Sequence, residues 1–324
     1  MSAGPVNIPQ LDIRLFDQGD AAQRNTFVAA LRASLREFGF VGIREHGMGE
    51  AVVARAYAAL ERLFALPLET KLAYHEPSRA GERGYTAFGV ERAKDSSVGD
   101  LKEFWHVGRE LDPGSPGSAS LPQNIWPDPA LLPDFRPALL ALYAALDALS
   151  QRMLSAIALS LELPADWFVA HTQRGNSIVR PIHYPALADP AANPPGAVRA
   201  AAHGDINLIT LLVGSGEPGL ELRSREGGWI PVSTIEGVVV CNVGDILQRL
   251  TNHVLPSTIH RVVNPPEPWA SQPRYSVPFF VHPNPEFMVE TLPQCVSADN
   301  PNRYPEPINA DVFLHQRLRE NGLK

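Results

Sequence analysis

Apolar residues recur at helical spacing along the first half of the chain and in short, strand-like runs along the second. In Ala21–Phe38, the residues Phe27, Leu31, Leu35 and Phe38 fall on one face, which predicts a helix stopped by Gly39. Phe40–Ile43 predicts a short strand. Glu50–Phe64 predicts a second helix, ending before Pro67. Leu139–Leu163, rich in Ala and Leu, predicts a longer third helix stopped by Pro164. Pro113–Pro137 is dense in Pro, Gly and Ser and reads as an irregular surface crossing.

Beyond residue 175 the texture changes. Ser177–His183, Asn207–Val213, Leu220–Arg223, Val238–Asn242 and Tyr275–Val281 are β-branched or apolar runs. Pro185, Gly214–Gly219, Gly227–Gly228, Gly244–Asp245 and Pro265–Pro268 punctuate them. Many short strands at even spacing predict a sandwich, barrel or jelly roll. Ile308–Glu320 returns to a helical pattern. The expectation is an α+β chain, one globular unit over residues 1–324. Within it, 1–170 is mainly helical, 171–285 forms the β core and 286–324 is a C-terminal helical extension.

Composition narrows the partners. The 324 residues carry a net charge of −7, which argues against nucleic acid or an anionic membrane as the main partner. The two cysteines, Cys241 and Cys295, form no C-x-x-C pair, so neither a structural zinc site nor a disulfide framework is expected. Met1–Gln10 lacks the basic and apolar regions of a signal peptide, and no apolar run reaches the ~20 residues of a membrane span. A cytoplasmic monomer or weak oligomer acting on a small molecule is the resulting expectation.

His203-Gly204-Asp205 precedes an apolar strand. Residues i and i+2 of a strand share a face, so the imidazole and carboxylate can aim at one point. Two His and one carboxylate suit a divalent metal and leave adjacent coordination positions open. His260, after Leu255–Ile259, supplies the second imidazole. A sequence with ten His yields about one H-x-[DE] triplet by chance, so the pattern gains weight only from its context. That context is Arg274-Tyr275-Ser276, 14 residues after His260. Arg274 and Ser276 share a strand face, and a guanidinium beside a hydroxyl suits a carboxylate. A metal face and a carboxylate face in one β core imply a metal that works with a carboxylate-bearing co-substrate.

This H-x-D…H…R-x-S set resembles the signature of the iron(II)/2-oxoglutarate-dependent dioxygenases, in their isopenicillin N synthase-like branch. The likeness runs along most of the chain. Ile8–Asp12 is similar to the family's opening strand. Glu37–Phe40 through Glu45–Met48 is similar to its "GF…NHG" segment, with Glu45 in place of Asn. Phe64–Lys71, Gly84-Tyr85, Asp100–Glu103 and Asn242–Gln248 with Thr251-Asn252 follow in the family order. The resemblance implies a distorted double-stranded β-helix (jelly roll) flanked by N-terminal and C-terminal helices. It implies Fe(II) on His203, Asp205 and His260, and 2-oxoglutarate as co-substrate with its distal carboxylate on Arg274, Ser276 and Tyr184. With O2, the products are succinate, CO2 and a hydroxylated, desaturated or cyclised small molecule. Phe280 matches a pocket-shaping position after R-x-S. Tyr85, Phe88 and Arg180 are further substrate-pocket candidates, as is His253, which stands where many members have Gly. Two alternatives stay open at this level. One is an isopenicillin N synthase-like oxidase that uses O2 without 2-oxoglutarate. The other is a non-catalytic binding protein on the same scaffold.

Overall fold

The computed structural model describes residues 8–77, 81–92, 98–112, 114, 121–187, 193–214, 216–232 and 237–320. The expectation for Met1–Asn7, and the part of the Pro113–Pro137 crossing at 113 and 115–120, lie outside the described residues.

Strand β1 (Gln10–Asp12) and the short helix α1 (Arg14–Asp17) lead into α2 (Ala21–Phe38), which matches the predicted helix residue for residue. Its start is set by a capping box. The Gln23 amide donates to Asp20 Oδ1 at 2.9 Å, and the Asp20 amide donates to Gln23 Oε1 at 2.9 Å. Its end is Gly39, in the left-handed conformation at φ +68°. Then come β2 (Phe40–Arg44), α3 (Glu50–Phe64), α4 (Leu68–Leu72), β3 (Gly84–Thr86) and β4 (Glu103–Gly108). The long helix α5 spans Phe135–Ser160, four residues earlier at its start than the periodicity suggests. Pro137 falls in its first turn, where no intrahelical N–H bond is lost, so the proline does not delay it.

A short helix, α6 (Trp167–Ala170), precedes the β core. The run expected as one strand over Ser177–His183 is two, β5 (Ile178–Val179) and β6 (Ile182–Tyr184), because Pro181 interrupts the ladder. There follow β7 (Ala200–His203), β8 (Ile209–Val213), β9 (Leu220–Arg223), β10 (Trp229–Pro231) and β11 (Val239–Val243). Helix α7 (Asp245–Leu250), β12 (His260–Val262) and β13 (Arg274–Val281) complete the core. The tail forms a hairpin of β14 (Met288–Val289) with β15 (Ile308–Asn309), then α8 (Ala310–Glu320).

Two sheets face each other, as the jelly-roll expectation requires. The larger runs β1-β2-β11-β8-β13-β5-β4-β3, with β6 paired to β13 and β4. The smaller runs β10-β9-β12-β7. The N-terminal region is thus not only helical, since it supplies four strands of the larger sheet. Helix α5 packs on the outer face of that sheet, and Phe27, Leu139, Leu146, Val213 and Phe279 belong to the main core. A second cluster fills the space between the sheets, with Phe40, Phe104, Ile182, Tyr184, Leu222 and Val240. Among the described residues, no helix is long and apolar enough to cross a membrane.

Gly39 joins this frame to the site. A Cβ there would lie 2.4 Å from Thr258 Oγ1 and 2.6 Å from the Pro256 carbonyl oxygen, in addition to the strain of the positive φ. The Thr258 carbonyl in turn receives the His260 ring N–H. Gly39→Ala is therefore expected to cost at least ~1 kcal/mol of stability. It should also weaken divalent-metal binding at His260, read by thermal melting and metal titration together. A variant with wild-type melting and metal affinity would show that this close approach has slack.

Candidate active site and metal centre

His203 ends β7 and His260 begins β12, and the two face each other as partners across the antiparallel ladder. Their ring centroids lie 4.5 Å apart. Asp205 follows two residues after His203, and its Oδ1 is 3.9 Å from His260 Nε2. One ligand atom from each of the three lies within 4.8 Å of the others.

Every other polar atom of the three side chains is committed. His203 Nδ1 donates to the Ala201 carbonyl at 2.7 Å, and His260 Nδ1 donates to the Thr258 carbonyl at 3.1 Å. Both Nε2 lone pairs are thereby left for a metal. Asp205 Oδ2 accepts from Thr210 Oγ1 at 2.6 Å and from Asn242 Nδ2 at 2.7 Å, leaving Oδ1 as the ligand atom. Thr210 and Asn242 are themselves paired across β8 and β11. The larger sheet therefore reaches over to orient a carboxylate carried by the smaller one. Burial works to raise the Asp205 carboxyl, but His260, His203 and the two donors outweigh it and hold it below the ordinary value. Burial, reinforced by His260, pushes the His203 imidazole down to about 4, so it is neutral at pH 7. Neutral imidazoles and an ionised carboxylate are the forms that bind a divalent ion.

Arg274 and Ser276 lie on β13, opposite Tyr184 and Ile182 of β6. All of Arg274, Ser276 and Tyr184 are buried. The Arg274 guanidinium carbon sits 5.0 Å from the Tyr184 ring centroid. Its Nε and Nη1 are buried without a hydrogen-bond partner, although Glu217 Oε2 approaches Nε to 3.7 Å. Unpartnered guanidinium N–H groups in such a place suit an incoming carboxylate.

A cavity of about 860 Å³ opens beside His203 and Asp205. Arg180 and Phe280 line it. Arg180 is held in place: its guanidinium carbon lies 4.6 Å from the Phe104 ring and 5.0 Å from the Phe280 ring. Its Nη1 contacts Glu91 at 3.2 Å, and its Nε donates to His106 Nε2. Lys102 Nζ bonds Glu91 and Asp100, each at 2.8 Å. Burial opposes the charge on Glu91, but Arg180 and Lys102 overcome it and keep its carboxyl well below the usual range. Burial and Arg180 drive His106 well below its ordinary value, which agrees with a neutral ring accepting from Arg180. Leu314, Arg317 and Leu318 of α8 form another wall, with Arg317 Nη2 2.9 Å from Asp245 Oδ2.

Three of the sequence-derived pocket candidates lie elsewhere. Tyr85 is fully buried within β3, and its hydroxyl donates to Glu103 Oε2. Lys71 Nζ and His183 Nδ1 contact the same carboxylate, at 2.8 and 2.7 Å. Tyr85 is thus part of a network that ties β3, β4, β6 and α4 together. Phe88 is 44% exposed and outside the cavity. His253 stacks on Tyr304 and contacts its hydroxyl at 2.6 Å, also away from the cavity. Sequence reasoning missed Glu91, Lys102, His106 and His282 on the cavity wall, and Thr210 and Asn242 behind Asp205. Lys102 and Asn242 stood in motifs already noted, but only the folded geometry reveals their tasks.

Residues 175–283 match the model of the 2OG-Fe(II) oxygenase superfamily, and residues 8–129 match that of the non-haem dioxygenase in morphine synthesis N-terminal region. The proline hydroxylase buaE of Petromyces alliaceus is 33% identical over 97% of this chain and 99% of its own. A 2OG-Fe(II) oxygenase family protein from Caulobacter crescentus superposes with a TM-score of 0.86 and 44% identity, covering 97% of this chain and 98% of that one. A full-length Neurospora crassa protein, solved in complex with alpha-KG, gives 0.85 and 32% identity, covering 96% of each chain.

Thr210→Val and Asn242→Ala should each weaken divalent-metal affinity, by about 10- to 100-fold for loss of a group that orients a ligand. Anaerobic titration with Mn(II) measures this. Wild-type affinity in both variants would show that Asp205 does not depend on these donors.

Proposed function

Because the chain belongs to the 2OG-Fe(II) oxygenase superfamily, we propose that its His203, Asp205 and His260 hold the iron of a 2-oxoglutarate-dependent oxidoreductase. The observation that carries this is the convergence of three ligand atoms within 4.8 Å, with every neighbouring polar atom of those side chains already committed. Arg274, with Ser276 and Tyr184, takes the distal carboxylate of 2-oxoglutarate. Its two buried, unpartnered N–H groups support that role. Fe(II) with 2-oxoglutarate and O2 supplies the oxidising chemistry, which yields succinate and CO2.

The chain's own residues do the rest. Thr210 and Asn242 fix Asp205 so that one oxygen alone faces the metal. Phe280 offers a flat apolar surface to the substrate. Arg180, locked by Glu91 and His106, presents its remaining N–H donors to the cavity. Helix α8 shields one side from water, which strengthens polar contacts inside. The substrate is a small polar molecule. The relative named as a proline hydroxylase, and the Neurospora crassa protein, which is also solved with thymine, support a compact ring compound. The unpaired, buried cysteines support a reducing, cytoplasmic setting. The alpha-KG-bound relative favours 2-oxoglutarate over the oxidase alternative.

Anaerobic addition of Fe(II), then 2-oxoglutarate, should produce the visible charge-transfer band of the chelate. Admission of air should then yield succinate. His203→Ala and Asp205→Ala should abolish both. Iron-dependent succinate production retained in either variant would overturn the ligand assignment.

A further inference from the structure

Arg199, immediately before β7, has no role in the reading above, yet it is among the most deeply buried charged groups, at 1% exposure. Its guanidinium carbon lies 5.9 Å from the Tyr184 ring centroid, and that of Arg274 lies 5.0 Å from the same ring. Two guanidiniums therefore share one tyrosine. Arg199 Nη2 donates to the Gln272 carbonyl at 3.1 Å, and its amide donates to Asn264 Oδ1 at 3.0 Å. Among the described residues, its Nε is buried with no hydrogen-bond partner, as are Nε and Nη1 of Arg274.

Among the described residues, the anions there do not balance the cations. Glu217 is the carboxylate that both arginines feel, and it pairs with Arg274 at 3.7 Å. Among the described residues, Arg199 has no ion pair of its own. Burial and the nearby Arg274 both press the Arg199 guanidinium below its ordinary value, while Glu217 and Tyr184 only partly offset them. An arginine does not escape such a place by losing its proton. A surplus buried cation with an unpartnered N–H calls for one more anion.

We propose that Arg199 is a second binding residue for the distal carboxylate of the co-substrate, acting beside Arg274. This rests on the placement of 2-oxoglutarate given above. With that carboxylate present, two guanidiniums face two carboxylates and the local charge closes. The arrangement selects a dicarboxylic 2-oxo acid over one with a neutral tail. Arg274 orients the carboxylate together with Ser276, and Arg199 supplies the charge that makes a neutral tail a poor occupant.

The test compares 2-oxoglutarate with 2-oxopentanoate, which keeps the chelating end and lacks the distal carboxylate. Both are titrated anaerobically into the Fe(II) protein, following the charge-transfer band. Arg199→Met should weaken 2-oxoglutarate by about 10- to 100-fold, as expected for loss of a charge-assisted contact. Binding of 2-oxopentanoate and of Mn(II) alone should stay within about 2-fold, since neither meets Arg199. Arg199→Lys should recover part of the preference. If Arg199→Met fails to fold, Arg199→Gln, which keeps a donor for the Gln272 carbonyl and loses the charge, decides the matter by the same titrations. A wild-type band with an unchanged preference in folded Arg199→Met overturns this proposal alone. So does an unchanged preference in folded Arg199→Gln. A wild-type protein that forms no band with 2-oxoglutarate overturns the functional reading and this proposal with it.

Discussion

Two sheets meet at the Asp205 carboxylate. It sits on a turn beyond β7 in the smaller sheet, yet both donors that orient it, Thr210 and Asn242, stand on the larger one. The Asp245 amide donates to the Asp205 carbonyl at 2.7 Å, so the start of α7 fastens the same turn from behind. Gly204 and Gly244 make room for this crowding. A Cβ on Gly244 would lie 2.1 Å from the Asn207 carbonyl oxygen. Asp205 is therefore held from both sheets, beside the two imidazoles that pair across β7 and β12. Orienting hydrogen bonds behind a ligand matter because they set its direction before any metal arrives.

The interior carries many charged side chains. Lys102, Arg180, Arg199, Arg274, Glu91, Asp100 and Glu103 all lie within or against it, and most are held in pairs. Such pairs add little net stability, because desolvation offsets attraction. They do immobilise side chains that would otherwise sample many rotamers. Asp100 shows the benefit. Its Oδ2 holds Lys102, while its Oδ1 accepts the Ala201 amide at 3.0 Å, inside the strand that carries His203. The polar wall and the strand that carries His203 are thus aligned by one carboxylate.

Much of this could be read before folding, and the failures have physical causes. The grouping of His203, Asp205 and His260 was legible from their spacing, although Asp205 stands on the turn beyond β7 and not on the strand face that a period of two predicts. Thr210 and Asn242 were not, since their role depends on which strands pair. Strand β4 escaped notice because all six of its residues are buried, so Glu103-Phe104-Trp105-His106 shows no alternation of apolar and polar. The strands β7, β10 and β12 span three or four residues, too short for any periodicity to register. His253 misled because its departure from Gly looked functional. The position has φ +66°, a backbone state that glycine adopts freely. Here the histidine accepts that state and uses its ring against Tyr304. Glu45, in the segment similar to "GF…NHG", likewise sits at φ +55°.

Helix α8 follows every strand of the two sheets in chain order, yet it walls the cavity, and its Arg317 grips Asp245 directly behind the ligand turn. The consequence concerns what the helix can be separated from. Taking α8 away would leave every strand that carries His203, Asp205's turn and His260 in place, and would remove one wall of the cavity together with the Arg317 contact to Asp245.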